Sequence, residues 1–157
     1  MDVYGYYPLS SIENVNSYYF EVKKDQSTET ANGNLAGYEA SDFLWGKAAD
    51  AAPTDKVIRQ SFAHRLSGVR VSLVEGTGFA SGEWALASKS VLILGTKREC
   101  NIDLATGEAT AVGEVGATGI IPYAKDGDFR CIVVPQEVAA GVDLISVTVG
   151  GVSYRHS

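Results

Sequence analysis

Apolar and polar residues alternate in short runs along this chain, and glycine, proline and Asp/Asn-rich turns cut the runs apart. A period of two puts one set of side chains on each face of a β-strand. Val3-Tyr-Gly-Tyr-Tyr-Pro8 predicts a strand that stops at Pro8, which has no N–H to give to a sheet ladder. After Ser17, Tyr18, Phe20 and Val22 share one face while Tyr19, Glu21 and Lys23 share the other. Asp25 to Asn34 is polar and turn-rich, which predicts an exposed loop. Tyr38 to Gly46 gathers Phe43, Leu44 and Trp45 into a buried strand or an apolar plug, and Ala48 to Thr54, with Pro53, is a small-residue connection.

Val57 to Val74 carries the strongest β signal. Phe62, His64 and Leu66 have one parity and Val69, Val71 and Leu73 the other, with the switch at Ser67-Gly68. A bulge or bend at the glycine keeps both sets inward, so the segment is one bent strand or two strands meeting at a corner. Glu75 to Gly78 is a turn. Trp84 to Leu94 is a short helix followed by a strand, or strand throughout, with Ser90 to Leu94 read as strand. A hairpin turns at Thr106-Gly107, and Ile120 to Tyr123 and Arg130 to Val134 are strands flanking Asp126-Gly-Asp128. Pro135 stops the second of these, Val142 to Val149 alternates, and Gly150-Gly151 leads into a last strand from Val152. No helical stripe of useful length and no fixed-period repeat interrupts this order. The pattern predicts an all-β sandwich or barrel of about seven to nine strands with little helix.

The chain's 157 residues suit one domain, residues 1–157, which buries about two-thirds of its unfolded surface without help from a metal or disulfide. A net charge of −6 repels phosphate backbones, so nucleic acid is not expected as a partner. No apolar run approaches the roughly 18 residues that span a bilayer, and no basic region followed by an apolar stretch opens the chain as a secretion signal would. Cys100 and Cys131 both lie in strand-like segments; they are a possible disulfide or, on the blander reading, two buried free thiols.

Candidate chemistry is thin. His64 shares a face with Phe62 and Leu66, which marks a packed imidazole more than a catalytic base, and His156 sits two residues from the end. Gly113-x-x-Gly116-x-x-Gly119 feeds a strand and not a helix, so it lacks the dipole of a phosphate loop. Asp126-Gly-Asp128 has too few ligands for a calcium loop. The carboxylates Glu13, Glu21, Asp25, Glu29, Asp42, Asp103, Glu108 and Asp128 are scattered over loops and strand edges. No catalytic, cofactor-binding or metal residue is therefore nominated, no cofactor is expected, and an enzyme ranks third among the readings. Tyr4, Tyr6, Tyr7, Tyr18, Tyr19 and Tyr38 crowd the first quarter, either as cross-strand packing or as an exposed platform for sugars.

The order of motifs adds more than any one of them. Tyr4-Gly-Tyr-Tyr-Pro8, a Tyr-rich strand with Asp25-Gln26, Asp42-Phe-Leu-Trp-Gly46, Phe62-Ala-His-Arg-Leu-Ser-Gly-Val-Arg-Val71, Ile102-Asp-Leu104 with Thr106-Gly107, Val133-Val-Pro-Gln136 and Gly151-Val-Ser-Tyr154 follow one another from about Val3 to Tyr154. This succession resembles the fimbrillin-like proteins of Bacteroides-type bacteria. The resemblance implies a transthyretin-like Greek-key β-sandwich, exported as a lipoprotein to the outer membrane. It implies a shaft, anchor or tip subunit of a fimbria, joined to other fimbrial subunits by addition of a β-strand to an open sheet edge. Phe62, His64 and Leu66 are then expected to face the core from a central strand, and Trp45 to plug one end of the sandwich. The family's lipid-attachment cysteine, upstream strands and second domain are not found in residues 1–157. The rival reading is a secreted glycan-binding module that uses the tyrosines as its platform; a host or bacterial surface glycan or protein is the further partner expected.

Overall fold

The computed structural model describes residues 1–30, 35–52 and 57–157. The far end of the loop expected over Asp25 to Asn34, and Pro53 and Thr54 of the small-residue connection, lie outside them.

Twelve strands form among the described residues: β1 (Val3–Tyr7), β2 (Tyr18–Glu21), β3 (Leu44–Ala48), β4 (Ala63–His64), β5 (Ser67–Ser72), β6 (Lys89–Ile93), β7 (Lys97–Asp103), β8 (Glu108–Val115), β9 (Tyr123–Lys125), β10 (Asp128–Val133), β11 (Ile145–Val149) and β12 (Val152–His156). The two helices, α1 (Gly37–Ala40) and α2 (Glu83–Leu86), are single turns. Strands pair antiparallel in four groups of three, ordered β1-β3-β4, β5-β10-β9, β12-β11-β6 and β2-β7-β8. Single bridges at Asp25–Ile121 and Ile93–Ile120 stitch these groups together. The count exceeds the expected seven to nine, and one run, expected as a bent strand or two strands meeting at a corner, is divided. Val57 to Val74 yields β4 on one sheet and β5 on another, with Leu66 buried at the corner between them. Ile120 and Ile121 make only isolated bridges, and the strand expected there starts at Tyr123.

Alternation explains which faces close over the core. Phe20 and Val22 turn inward from β2 and its extension, and Val91 and Ile93 from β6. Cys100 and Ile102 do so from β7, and Cys131 and Val133 from β10. Phe43 sits at the centre, edge-on to Phe20 at 5.2 Å and stacked with Tyr6 at 6.2 Å between ring centres. Burying each such side chain contributes about 1.5–3 kcal/mol. Trp45 is buried on β3; its Nε1 donates to the Leu104 carbonyl at 2.8 Å and the Arg65 guanidinium lies 4.4 Å above its ring. Gly107, which closes the β7–β8 hairpin at φ +76°, lies under that indole, and a Cβ there would come within 2.6 Å of it. Only glycine satisfies both the left-handed backbone and the contact.

Two expectations fail. Phe62 is 50% exposed and the His64 side chain 70% exposed, because β4 is a two-residue strand at the outer edge of its sheet; only Leu66 of that trio is in the core. The start of the supposed exposed loop holds Gln26, which is fully buried. Its backbone N–H donates to the Ile121 carbonyl (2.9 Å), its Nε2 to the Ile132 carbonyl (2.7 Å), and its Oε1 accepts the Ile132 N–H (2.8 Å). A side-chain amide thus takes the place of a neighbouring strand.

Candidate functional site

β1 is the outer strand of its sheet, hydrogen-bonded to β3 on one side and, among the described residues, to no strand on the other. Register pairs Tyr6 with Trp45 and Tyr4 with Lys47, so both tyrosines lie on the face that carries the indole. The chain that leaves β1 turns through the cis Tyr7–Pro8 bond and comes back past Ile12 and Val15. Val15 is tied down by its carbonyl, which accepts the Leu104 N–H at 2.8 Å. Tyr4, Tyr6, Ile12, Val15, Trp45 and Leu104 then enclose an open apolar cleft of about 260 Å³. Tyr4 at its mouth stands 6.4 Å from Trp45 and is held from outside by Lys47, whose ammonium lies 5.3 Å from its ring and pairs with Asp2 at 2.6 Å. That pairing lowers the Asp2 carboxyl below its ordinary range and raises the Lys47 ammonium. An unpaired strand edge beside an apolar cleft supplies both things an added strand requires, backbone partners and a seat for alternate side chains.

The first-quarter tyrosines do not form a platform. Tyr6 and Tyr18 pack against Phe43, Tyr4 guards the cleft, Tyr7 and Tyr19 point to solvent, and Tyr38 is on α1 beside Tyr123. His64 Nδ1 meets the Asp42 carboxylate at 2.8 Å on an exposed surface, with no hydroxyl or thiol of the described residues joined to the pair. Gly113 is at φ +70° against the Glu99 carboxylate, next to an irregularity in the β7–β8 register, so the glycine series includes a bulge position within β8. Asp126-Gly127 is the two-residue turn of the β9–β10 hairpin. Asp128 accepts from Ser72 and pairs with Arg70, and these contacts, Ser72 first, hold its carboxyl below the usual range. Cys100 and Cys131 are buried free thiols, each pushed up to about 12 by burial. Among the described residues no group of three His, Cys, Asp or Glu side chains is placed to hold a metal, and no helix is long and apolar enough to cross a membrane.

Sequence reasoning missed the cleft because Ile12 and Val15 sit in a segment without periodicity; their only signal was being apolar between two Tyr-rich strands. It named Gln136 within the Val133-Val-Pro-Gln136 motif without giving it a role. The amide that follows Pro135 accepts the Lys97 N–H at 2.8 Å and donates to the Lys97 and Val134 carbonyls at 2.9 and 3.0 Å.

The fold is shared with solved proteins. A candidate cell adhesion protein from Bacteroides uniformis superposes with a TM-score of 0.72 at 20% identity, over 99% of this chain and 58% of that one. One from Bacteroides ovatus gives 0.70 at 15% identity, over 99% and 55%. A third, from Bacteroides thetaiotaomicron, gives 0.52 at 21% identity, over 98% and 56%. This chain therefore spans little more than half the length of each, and at these identities the likeness is one of fold. No curated protein matches the chain. The sequence itself matches the fimbrillin-like family over residues 1–157, and the chain belongs to that family.

Proposed function

We propose that this chain is a structural, non-catalytic subunit of a bacterial surface fimbria, and that the β1 cleft accepts a strand from a neighbouring subunit. The observation that carries the reading is the cleft of about 260 Å³ beside the unpaired edge of β1. Membership of the fimbrillin-like family supports it. The incoming strand pairs its backbone with β1 and sets an apolar side chain between Tyr4, Ile12, Val15 and Trp45. The gain is the burial of that side chain, at about 25 cal/mol per Å² of apolar surface removed from water, together with hydrogen bonds the edge otherwise makes to solvent. Export as a lipoprotein and display on the outer membrane of a Bacteroides-type bacterium complete the reading. The gene's upstream sequence tests that part, since it should encode a signal peptide with a lipid-attached cysteine.

Thermal denaturation with strand-length peptides from fimbrillin-like subunits tests assembly. At least one peptide should raise the melting temperature in a concentration-dependent way through linkage. Ile12→Asp, which puts a carboxylate in the cleft wall, should abolish the rise. Failure of every peptide, or binding indifferent to Ile12→Asp, would remove the cleft from the account.

A further inference from the structure

A second hollow lies between α1 and the β9–β10 hairpin. Register pairs Tyr123 with Arg130, which puts their side chains on one face, and Lys125, two residues on from Tyr123, shares it. The turn α1 lays Tyr38 against that face, 5.8 Å from Tyr123 and tilted by 34°, and brings Glu39 with it. Glu29 closes the third side, and the open space is about 380 Å³, within the range of about 300–1,000 Å³ for small-molecule sites.

The chemistry of the lining narrows the ligand. Two cations and two carboxylates border an aromatic wall, and none of the four charged groups takes part in an ion pair among the described residues. An apolar ligand would desolvate all four without return. An anion would meet Glu29 and Glu39, and a cation would meet Lys125 and Arg130. A ligand dense in hydroxyls suits every group, since each hydroxyl both donates to a carboxylate and accepts from an ammonium or guanidinium. A sugar ring adds a C–H face that lies on an aromatic side chain. Burial, then the Asp42 charge, raises the Tyr38 phenol, which keeps it a neutral donor at physiological pH.

We propose that the Tyr38–Tyr123 hollow binds a neutral pyranose unit of a surface glycan. This site is separate from the β1 cleft and does not depend on the assembly reading.

Saturation-transfer NMR on the whole chain, with glucose, galactose, mannose and N-acetylglucosamine as neutral probes and glucuronic acid as the acidic one, provides the test. Oligosaccharides of the sugar that binds then show whether the unit is read free or within a chain. Saturation should fall mainly on ring C–H protons of at least one neutral sugar, and Tyr123→Ala should weaken binding tenfold or more. Lys125→Ala, at an exposed position, should weaken it about threefold and serves as the variant if Tyr123→Ala does not fold. Absence of binding by every neutral sugar at millimolar concentration, preference for glucuronic acid, or full binding by a folded variant lacking either side chain overturns the proposal. Ile12→Asp should leave sugar binding intact and Tyr123→Ala should leave peptide binding intact, so failure at one site is not failure at the other.

Discussion

At Ile132, β10 has run beyond its pairing with β9, and Gln26 steps into the gap with a side-chain amide that bonds both the N–H and the carbonyl. Along β1 the outer edge also lacks a strand among the described residues, yet there it borders an open apolar cleft and solvent. The difference is water. A backbone group that water cannot reach costs about 1–3 kcal/mol when unpaired, so the interior gap has to be filled by the chain itself. A rim gap is solvated, costs little, and stays available to another molecule. Gln136 makes the same kind of contact at a half-buried position, pairing with both backbone groups of Lys97. A fold that twice closes a strand gap with its own glutamine, and among the described residues sets no strand against the outer edge of β1, treats that edge differently from its interior.

The comparison breaks most visibly at Gln26. Gln26→Leu keeps the volume but strands the Ile132 N–H and carbonyl in the core, and should cost about 3 kcal/mol of stability, read by urea denaturation. For a domain of this size that is a fall of roughly 6–12 °C in melting temperature. Cys131 adjoins the seam and reports on it. Its thiol, pushed up to about 12 by burial, should resist alkylation at pH 8 in the native protein, as should Cys100. In Gln26→Leu, Cys131 should react before Cys100; equal rates would mean that the seam does not open locally. Gln136→Ala should cost less, about 1–2 kcal/mol, because its partners on Lys97 are half-buried and water can replace part of what is lost.

Much of this architecture was legible because alternation is a local signal. Phe20 and Val22 fall where parity places them, and the turns at Thr106-Gly107 and Gly150-Gly151 are where glycine allows. The errors came where tertiary geometry overrides parity. Phe62 and His64 alternate like core residues, but the chain turns a corner at Leu66 and leaves them on an outer edge. Gln26 reads as loop because its partner lies 106 residues away, and nothing local distinguishes a glutamine that replaces a strand from one that faces solvent. The β1 cleft was illegible for the same reason: it joins β1, the returning segment at Ile12 and Val15, Trp45 on β3 and Leu104 after β7. The family resemblance supplied the idea of an open edge without saying which edge.

A smaller effect separates charge from packing. Ser72 and Arg70 favour the ionised form of Asp128, so their stabilising contribution is complete above the ordinary carboxylate range, near pH 3.9, and is lost as pH falls through the depressed native value. Denaturation profiles of wild type and Asp128→Asn should therefore differ at neutral pH and converge on the acid side. Added salt should narrow the gap, since Arg70 is largely exposed. A gap that persists unchanged at the lowest pH would assign the effect to packing.

The smallest expected effect is the most informative about the rim. Ile12 is 37% exposed in a segment without regular structure, and it lines a cleft that already admits water. Ile12→Asp should change stability by no more than about 0.5 kcal/mol in chemical denaturation, the usual range for surface positions away from packed features. The same aspartate placed at Phe43 would be ruinous, because there the carboxylate has no water and no partner. If Ile12→Asp costs several kcal/mol, the cleft wall belongs to the core and the contrast with Gln26 collapses. If it costs almost nothing while peptide binding disappears, the apolar lining of the cleft serves a partner strand and not the stability of the chain that carries it.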